Sequence, residues 1–191
     1  MAALAPARHS LSMTETDRPP AGPDPSSYGR VTNSDRYSVL HDAAHGLLDR
    51  LVTAYLVERE EGGFEIDSEL ARIPGQEVVR LRPVDRHGGP LTVAFSNFPG
   101  LAVRFGEWHV EYFPSCGCDA CDEQPSDLAE DLDRKVTDLV EGRFSETISG
   151  WIRKGLSHRF AHSSGWTRLP RDQPLYKMSG SHHDWAPWPS R

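Results

Sequence analysis

Three cysteines, Cys116, Cys118 and Cys121, fall within the run Cys116-Gly117-Cys118-Asp119-Ala120-Cys121, and no other position holds one. Soft thiolate sulfurs at this density are the ligand type that zinc takes in tetrahedral structural sites, usually with imidazole completing the set. Nine histidines are present, and His109, one strand length upstream, is the expected fourth ligand. His41, His45, His158 and His162 are the alternatives. The expected cofactor is therefore one zinc ion, although no second cysteine pair exists to make the familiar double knuckle.

Two other readings of the same turn stay open. Cys118 and Cys121 have the two-residue gap of dithiol redox chemistry, but Asp119, Asp122 and Glu123 are like charges expected to raise a thiol pKa and blunt its nucleophilicity. Alternatively, the thiols are small hydrophobes packed in a turn, with no ion at all. A catalytic metal with an open coordination position is the enzymatic version of the first reading.

The remaining motifs carry less chemistry. His41 with His45 and His158 with His162 stand four apart, the spacing at which a helix presents two ligands to one ion. Metalloprotease helices place Glu after the first histidine, whereas Asp42 and Arg159 follow here, so the general base is missing. His182 and His183 offer weak metal scavenging. Glu107 and Glu111 share a parity along a strand, as solvated pleats commonly do. Gly62-Gly63 and Gly88-Gly89 lack the Lys-Ser or Lys-Thr of a phosphate loop, and no Gly-x-Ser-x-Gly elbow occurs.

The elements that must position these groups are readable from periodicity. Residues 1–27, with Pro19, Pro20, Pro23 and Pro25, cannot bury enough apolar area to offset ordering entropy and are expected to be disordered. Met13-Thr14-Glu15-Thr16 offers a second translation start. Tyr37, Leu40, Ala44, Leu47, Leu48, Leu51 and Tyr55 recur at helical steps and predict a helix over about 35–59, stopped by Gly62-Gly63. From Gln76 to Phe113 the period becomes two, broken at His87-Gly88-Gly89-Pro90, Phe98-Pro99-Gly100 and Gly106, which predicts an antiparallel meander. Pro125 opens a helix with Leu128, Leu132, Val136, Leu139 and Val140 on one face, closed by Gly142. Residues 143–151 suit one more strand.

These elements give an α+β class: a single domain over 28–176, its meander of three to five strands packed against two main helices, followed by a Trp/Pro-rich tail over 177–191. Trp185-Ala186-Pro187-Trp188-Pro189 favours an extended form that docks on its own domain or on a protein partner. The 191 residues carry a net charge of −7, which opposes attraction to a nucleic-acid backbone. No apolar run reaches the roughly 18 residues of a membrane span, and no secretory signal is visible. A cytoplasmic protein with reduced thiols is expected.

The runs Phe105-Gly106-Glu107-Trp108-His109, Phe113 through Glu123, and Gly142-Arg143-Phe144-Ser145-Glu146 resemble an uncharacterised actinobacterial family of unknown function, with the likeness extending from about Tyr28 to the tryptophan-rich end. The resemblance implies a bacterial cytoplasmic setting and supplies no reaction, cofactor or partner. The sequence favours a non-enzymatic binding or structural module. A small enzyme using the cysteine turn, or a metal-free interaction module using the acidic helix or the aromatic tail, are the rivals.

Overall fold

A computed structural model describes residues 22–62, 77–178 and 180–191. Most of the segment expected to be disordered, 1–21, lies outside the described residues. Pro25–Ser27 forms a short 3-10 turn, with the Asp24 carboxylate accepting the Ser26 N–H at 2.8 Å.

The helical repeat after Ser34 begins as a 3-10 turn, Ser34–Ser38, and continues as α1, Val39–Ala54. Leu40, Ala44, Leu47, Leu48 and Leu51 form its buried stripe. The helix ends five residues before the expected stop, because Val57–Glu61 enters the sheet as strand β1. Its closure is tertiary: Arg191 donates its Nε–H to Val52 O and Tyr55 O and its backbone N–H to Ala54 O, satisfying carbonyls that a helix end leaves open.

β1 pairs with β2 (Val78–Pro83), and β3 (Leu91–Phe95), β4 (Leu101–Phe105) and β5 (His109–Phe113) complete a five-stranded antiparallel meander in chain order. Val79, Leu81, Leu91, Val93, Phe95, Leu101, Val103, Phe105 and Phe113 line the face covered by α1 and by α2, Pro125–Val140. Helix α2 follows the expected pattern, with Pro125 in its first turn and Gly142 at φ 71° just past its end. Both helices and the meander thus agree with the α+β expectation.

A second sheet continues from the expected strand: β6, Ser145–Ser149, lies between β7 (Gly155–Arg159) and β9 (Ser181–Asp184), with β8 (Ser164–Arg168) outside β7. Only β6 is foreseen by the sequence reading. The β7–β8 hairpin lacks an apolar alternation, and Trp166 in β8 is 58% exposed. A smaller core of Trp108, Ile148, Leu156 and Leu169 sits between this sheet and the β4–β5 turn.

The aromatic ending docks on its own domain. Trp185 and Trp188 are 8% and 3% exposed and join the main core. The Trp188 indole N–H donates to Gly89 O at 2.9 Å. Among the described residues, no helix is long and apolar enough to cross a membrane.

Candidate metal centre

Strand β5 ends at Phe113, and the chain must turn before α2 starts at Pro125. Glu123 makes that turn tight. Its carboxylate accepts the backbone N–H groups of Ser115, Cys116 and Gly117, each at 3.0 Å, and the Ser115 hydroxyl at 2.9 Å. Gly117 sits at φ 73°, and a Cβ there would meet the Phe98 ring at 2.9 Å, so glycine is required by both conformation and space. The N–H groups of Cys121 and Asp122 then return to Cys118 O at 3.1 and 3.2 Å.

The outcome is a convergence of sulfur. The Sγ atoms of Cys116, Cys118 and Cys121 lie within 4.8 Å of one another, with Cys118 buried and the other two exposed. The backbone N–H of Gly29, together with hydrogen bonding from Cys116 and Cys121, brings the Cys118 thiol down to about 6. Cys121, hydrogen-bonded to Cys118 and Cys116 and exposed to their negative charge, is pushed up to about 12. Cys118 is therefore the thiolate-prone sulfur of the group, and Cys121 the one that keeps its proton.

The neighbouring acids do not have the effect expected of them. Asp119 accepts the Thr32 N–H at 2.9 Å and pairs with Arg30 at 3.0 Å, while Asp122 pairs with Arg36 at 2.9 Å. Glu123 is absorbed by the backbone amides. Each charge that would disfavour a thiolate is met by a cation or by N–H dipoles, and the hydrogen bonds from Gly29, Cys116 and Cys121 set the direction of the Cys118 shift, which is downward. The same bonds tie the segment Gly29–Arg36 to the cysteine turn, and Asp119 N–H donates to Arg30 O at 2.8 Å.

The expected fourth ligand stands elsewhere. His109 opens β5 and the cysteines follow its end, a separation of four strand steps or roughly 13 Å. Its Nε2 meets Glu111 Oε1 at 2.8 Å, and its ring stacks on His158 with centroids 3.6 Å apart. His109, Glu111 and His158 form a second group whose ligand atoms lie within 4.8 Å of one another. Lys135 occupies the other Glu111 oxygen and is held in turn by Asp131 at 2.9 Å. An ammonium already sits where a metal ion would approach this carboxylate, so the group reads as an ionic latch between α2 and β5. Burial and the neighbouring His109 take His158 down to about 4. Burial raises Glu111, but the hydrogen bonds of His109 and Lys135 and the ammonium charge prevail and bring it to about 2.

The histidine pairs at helical spacing have other partners. His41 Nε2 contacts Gly100 O at 3.0 Å and its ring meets Phe95 edge-on, whereas His45 stacks on Phe95 and reaches Glu77 at 3.7 Å. His158 lies in β7 and His162 in the turn after it, so the helical premise fails. His182 bonds Thr147 and Asp184 at 2.7 and 2.9 Å, while His183 stacks against Trp108 and Trp185. Glu107 lies in the β4–β5 turn rather than on the strand with Glu111. The sequence reading missed Glu146, whose carboxylate is 1% exposed. A glutamate amid strand-forming residues at Ser145-Glu146-Thr147-Ile148 was its only signal.

A model of a family of unknown function (DUF6226) matches residues 12–191. No curated protein and no solved structure matches.

Proposed function

We propose, for a chain that belongs to this family of unknown function, a non-enzymatic binding or structural module whose cysteine turn holds one zinc ion. The observation that carries the reading is the meeting of three sulfurs within 4.8 Å on a turn whose acids are all neutralised by other partners. Thiolates select zinc over hard cations, and three of them leave one position for solvent or for a ligand from a partner protein. Because the turn joins Gly29–Arg36 to β5 and α2, the bound ion would fasten the start of the domain to its sheet. The reading requires a reducing compartment such as the cytoplasm.

Elemental analysis and native mass spectrometry of untagged protein test it directly. One zinc per chain, lost together with thermal stability in Cys118→Ser, is the expected result. Metal-free protein from zinc-replete cells would overturn the proposal. The low pKa of Cys118 favours thiol chemistry as a second reading, yet the thiolate-prone sulfur is the buried one and an attacking thiolate must be reachable. Rapid alkylation of Cys118 in metal-free protein at neutral pH would shift the assignment to that chemistry.

A further inference from the structure

The connection from β6 to β7 turns an apolar pair out to solvent. Trp151 and Ile152 are 93% and 76% exposed, more than any other large hydrophobic among the described residues. The backbone builds this exposure in. Gly150, at φ 98°, bends the chain so tightly that a Cβ there would collide with Arg153 O. The connection is also braced from the chain that follows: the Tyr176 hydroxyl donates to Ile152 O at 3.1 Å, Lys154 Nζ to Met178 O at 2.8 Å, and Leu169 N–H to Lys154 O at 3.0 Å. Both apolar side chains are thereby held outward at one end of the second sheet.

Cations accompany the pair. Arg153 and Lys154 follow it directly in the chain, so their charges stand beside it by covalent connection. Strand register sets Arg168 opposite Gly155 at the same end of the sheet, and Lys177 lies in the 3-10 turn Pro174–Lys177 that braces the connection. From 150 to 178 the sequence holds one acid, Asp172. Trp166 adds a second indole on the outer face, where its ring fills the space a Cβ of Gly155 would take. The rest of that face is polar: register aligns His182, Thr147, Ser157 and Trp166 in one row across β9 to β8.

We propose that this end of the second sheet docks on an anionic lipid surface, with Trp151 and Ile152 entering the headgroup boundary and Arg153, Lys154, Arg168 and Lys177 facing the phosphates. Tryptophan suits that boundary because its ring is apolar and its N–H is polar, and the long stems of Arg and Lys let the charges stay at headgroup level while the apolar pair goes deeper. A projecting tip with a polar sheet face behind it suits lipid better than a second protein. A stable protein interface covers roughly 800 Å² on each partner with a closely packed apolar centre, whereas a boundary insertion needs only about 5–10 Å of depth. The chain's net charge of −7 opposes a general attraction, so it is the local cations that orient this end toward the lipid. The site does not depend on the zinc reading, since the connection belongs to the second sheet and the cysteine turn joins the first sheet to α2.

Co-sedimentation of the full untagged chain with phosphatidylcholine vesicles, and with vesicles in which about one-third of the lipid is phosphatidylglycerol, tests the proposal. Half of the protein is expected on the anionic vesicles at about 0.1–1 mM accessible lipid, with binding several-fold weaker on neutral vesicles and in about 0.5 M salt. The double change Trp151→Ser, Ile152→Ser touches two exposed side chains and should melt with wild type, yet bind about tenfold or more weakly. Arg153→Gln weakens binding about fivefold. No binding of folded wild-type protein to anionic vesicles up to about 5 mM lipid overturns the proposal, as does equal binding by the double variant or equal binding to neutral vesicles. A dimer in sedimentation equilibrium that the double variant dissolves would give the tip to a second copy of the chain and overturn it as well.

Discussion

The Trp185 indole N–H donates to Glu146 Oε1 at 3.2 Å, and the same buried carboxylate accepts the backbone N–H groups of Glu107, Trp108 and His109 at 2.7, 3.0 and 2.9 Å. A single side chain of β6 thereby closes the β4–β5 turn of the other sheet and holds the aromatic ending. Gly106, at φ 67° in that turn, leaves the room a Cβ would take from Glu146 and Trp185. The two sheets are joined by polar bonds as well as by apolar packing.

Replacing Glu146 with Gln keeps the shape and removes one acceptor oxygen. Two of the four N–H groups then face an amide NH2, and at roughly 1–3 kcal/mol per buried unsatisfied donor the expected loss is about 2–6 kcal/mol. Chemical denaturation of the variant at pH 7.5 measures it.

Acid titration separates two opposed groups. Burial, against its four N–H donors, raises Glu146 from 4.5 to about 7, so its contribution is complete below 4.5 and is lost as pH rises toward 7. His158 is lowered from 6.5 to about 4, so its contribution is complete above 6.5 and is lost as pH falls toward 4. Glu111, lowered from 4.5 to about 2, loses its contribution as pH falls through that lower window. Wild-type stability should therefore vary little between 4.5 and 6.5 and drop steeply below 4.5. His158→Gln removes one side of the balance, and urea midpoints in that variant should decline as pH rises across 4.5 to 7.

Zinc removal should lower the melting temperature. A ligand at about 1,000 times its Kd adds about 4 kcal/mol, which for a chain of this size corresponds to a shift on the order of 10 °C. Scanning calorimetry before and after chelation reads this shift. Glu123→Ala, which leaves every sulfur in place but frees three amides of the turn, should weaken zinc binding about 10–100-fold in a chelator competition.

Trp188→Ala leaves a void in the main core and strips Gly89 O of its donor. The expected destabilisation is about 3–5 kcal/mol by thermal unfolding. Deleting 182–191 also removes most of β9 and the cap on α1, and the remaining chain should not unfold cooperatively.

Sequence periodicity was sufficient where one face of an element is dry. Helix α2 turns one stripe to the main core, and strands β2 to β4 send every second residue there, so their apolar residues repeat accordingly. The β7–β8 hairpin escaped because Ser157, His158, Ser164 and Arg168 carry no such repeat, and its sheet is completed beyond β6 by β9 from far along the chain. The cysteine turn was readable from spacing alone, but its electrostatics were not. Arg30 and Arg36, which neutralise Asp119 and Asp122, lie more than 80 residues earlier in the chain. His109 was drawn to Glu111 and His158 by strand parity and sheet packing, neither of which local spacing contains.

The placement of β9 also sets a timetable for synthesis. Strand β6 gains its second neighbour only after residue 184 is made, and the pocket beside Gly89 is filled only by Trp188. While those residues are still inside the ribosome exit tunnel, the first sheet and α1 wait with apolar surface uncovered, and the fold closes only once they have emerged.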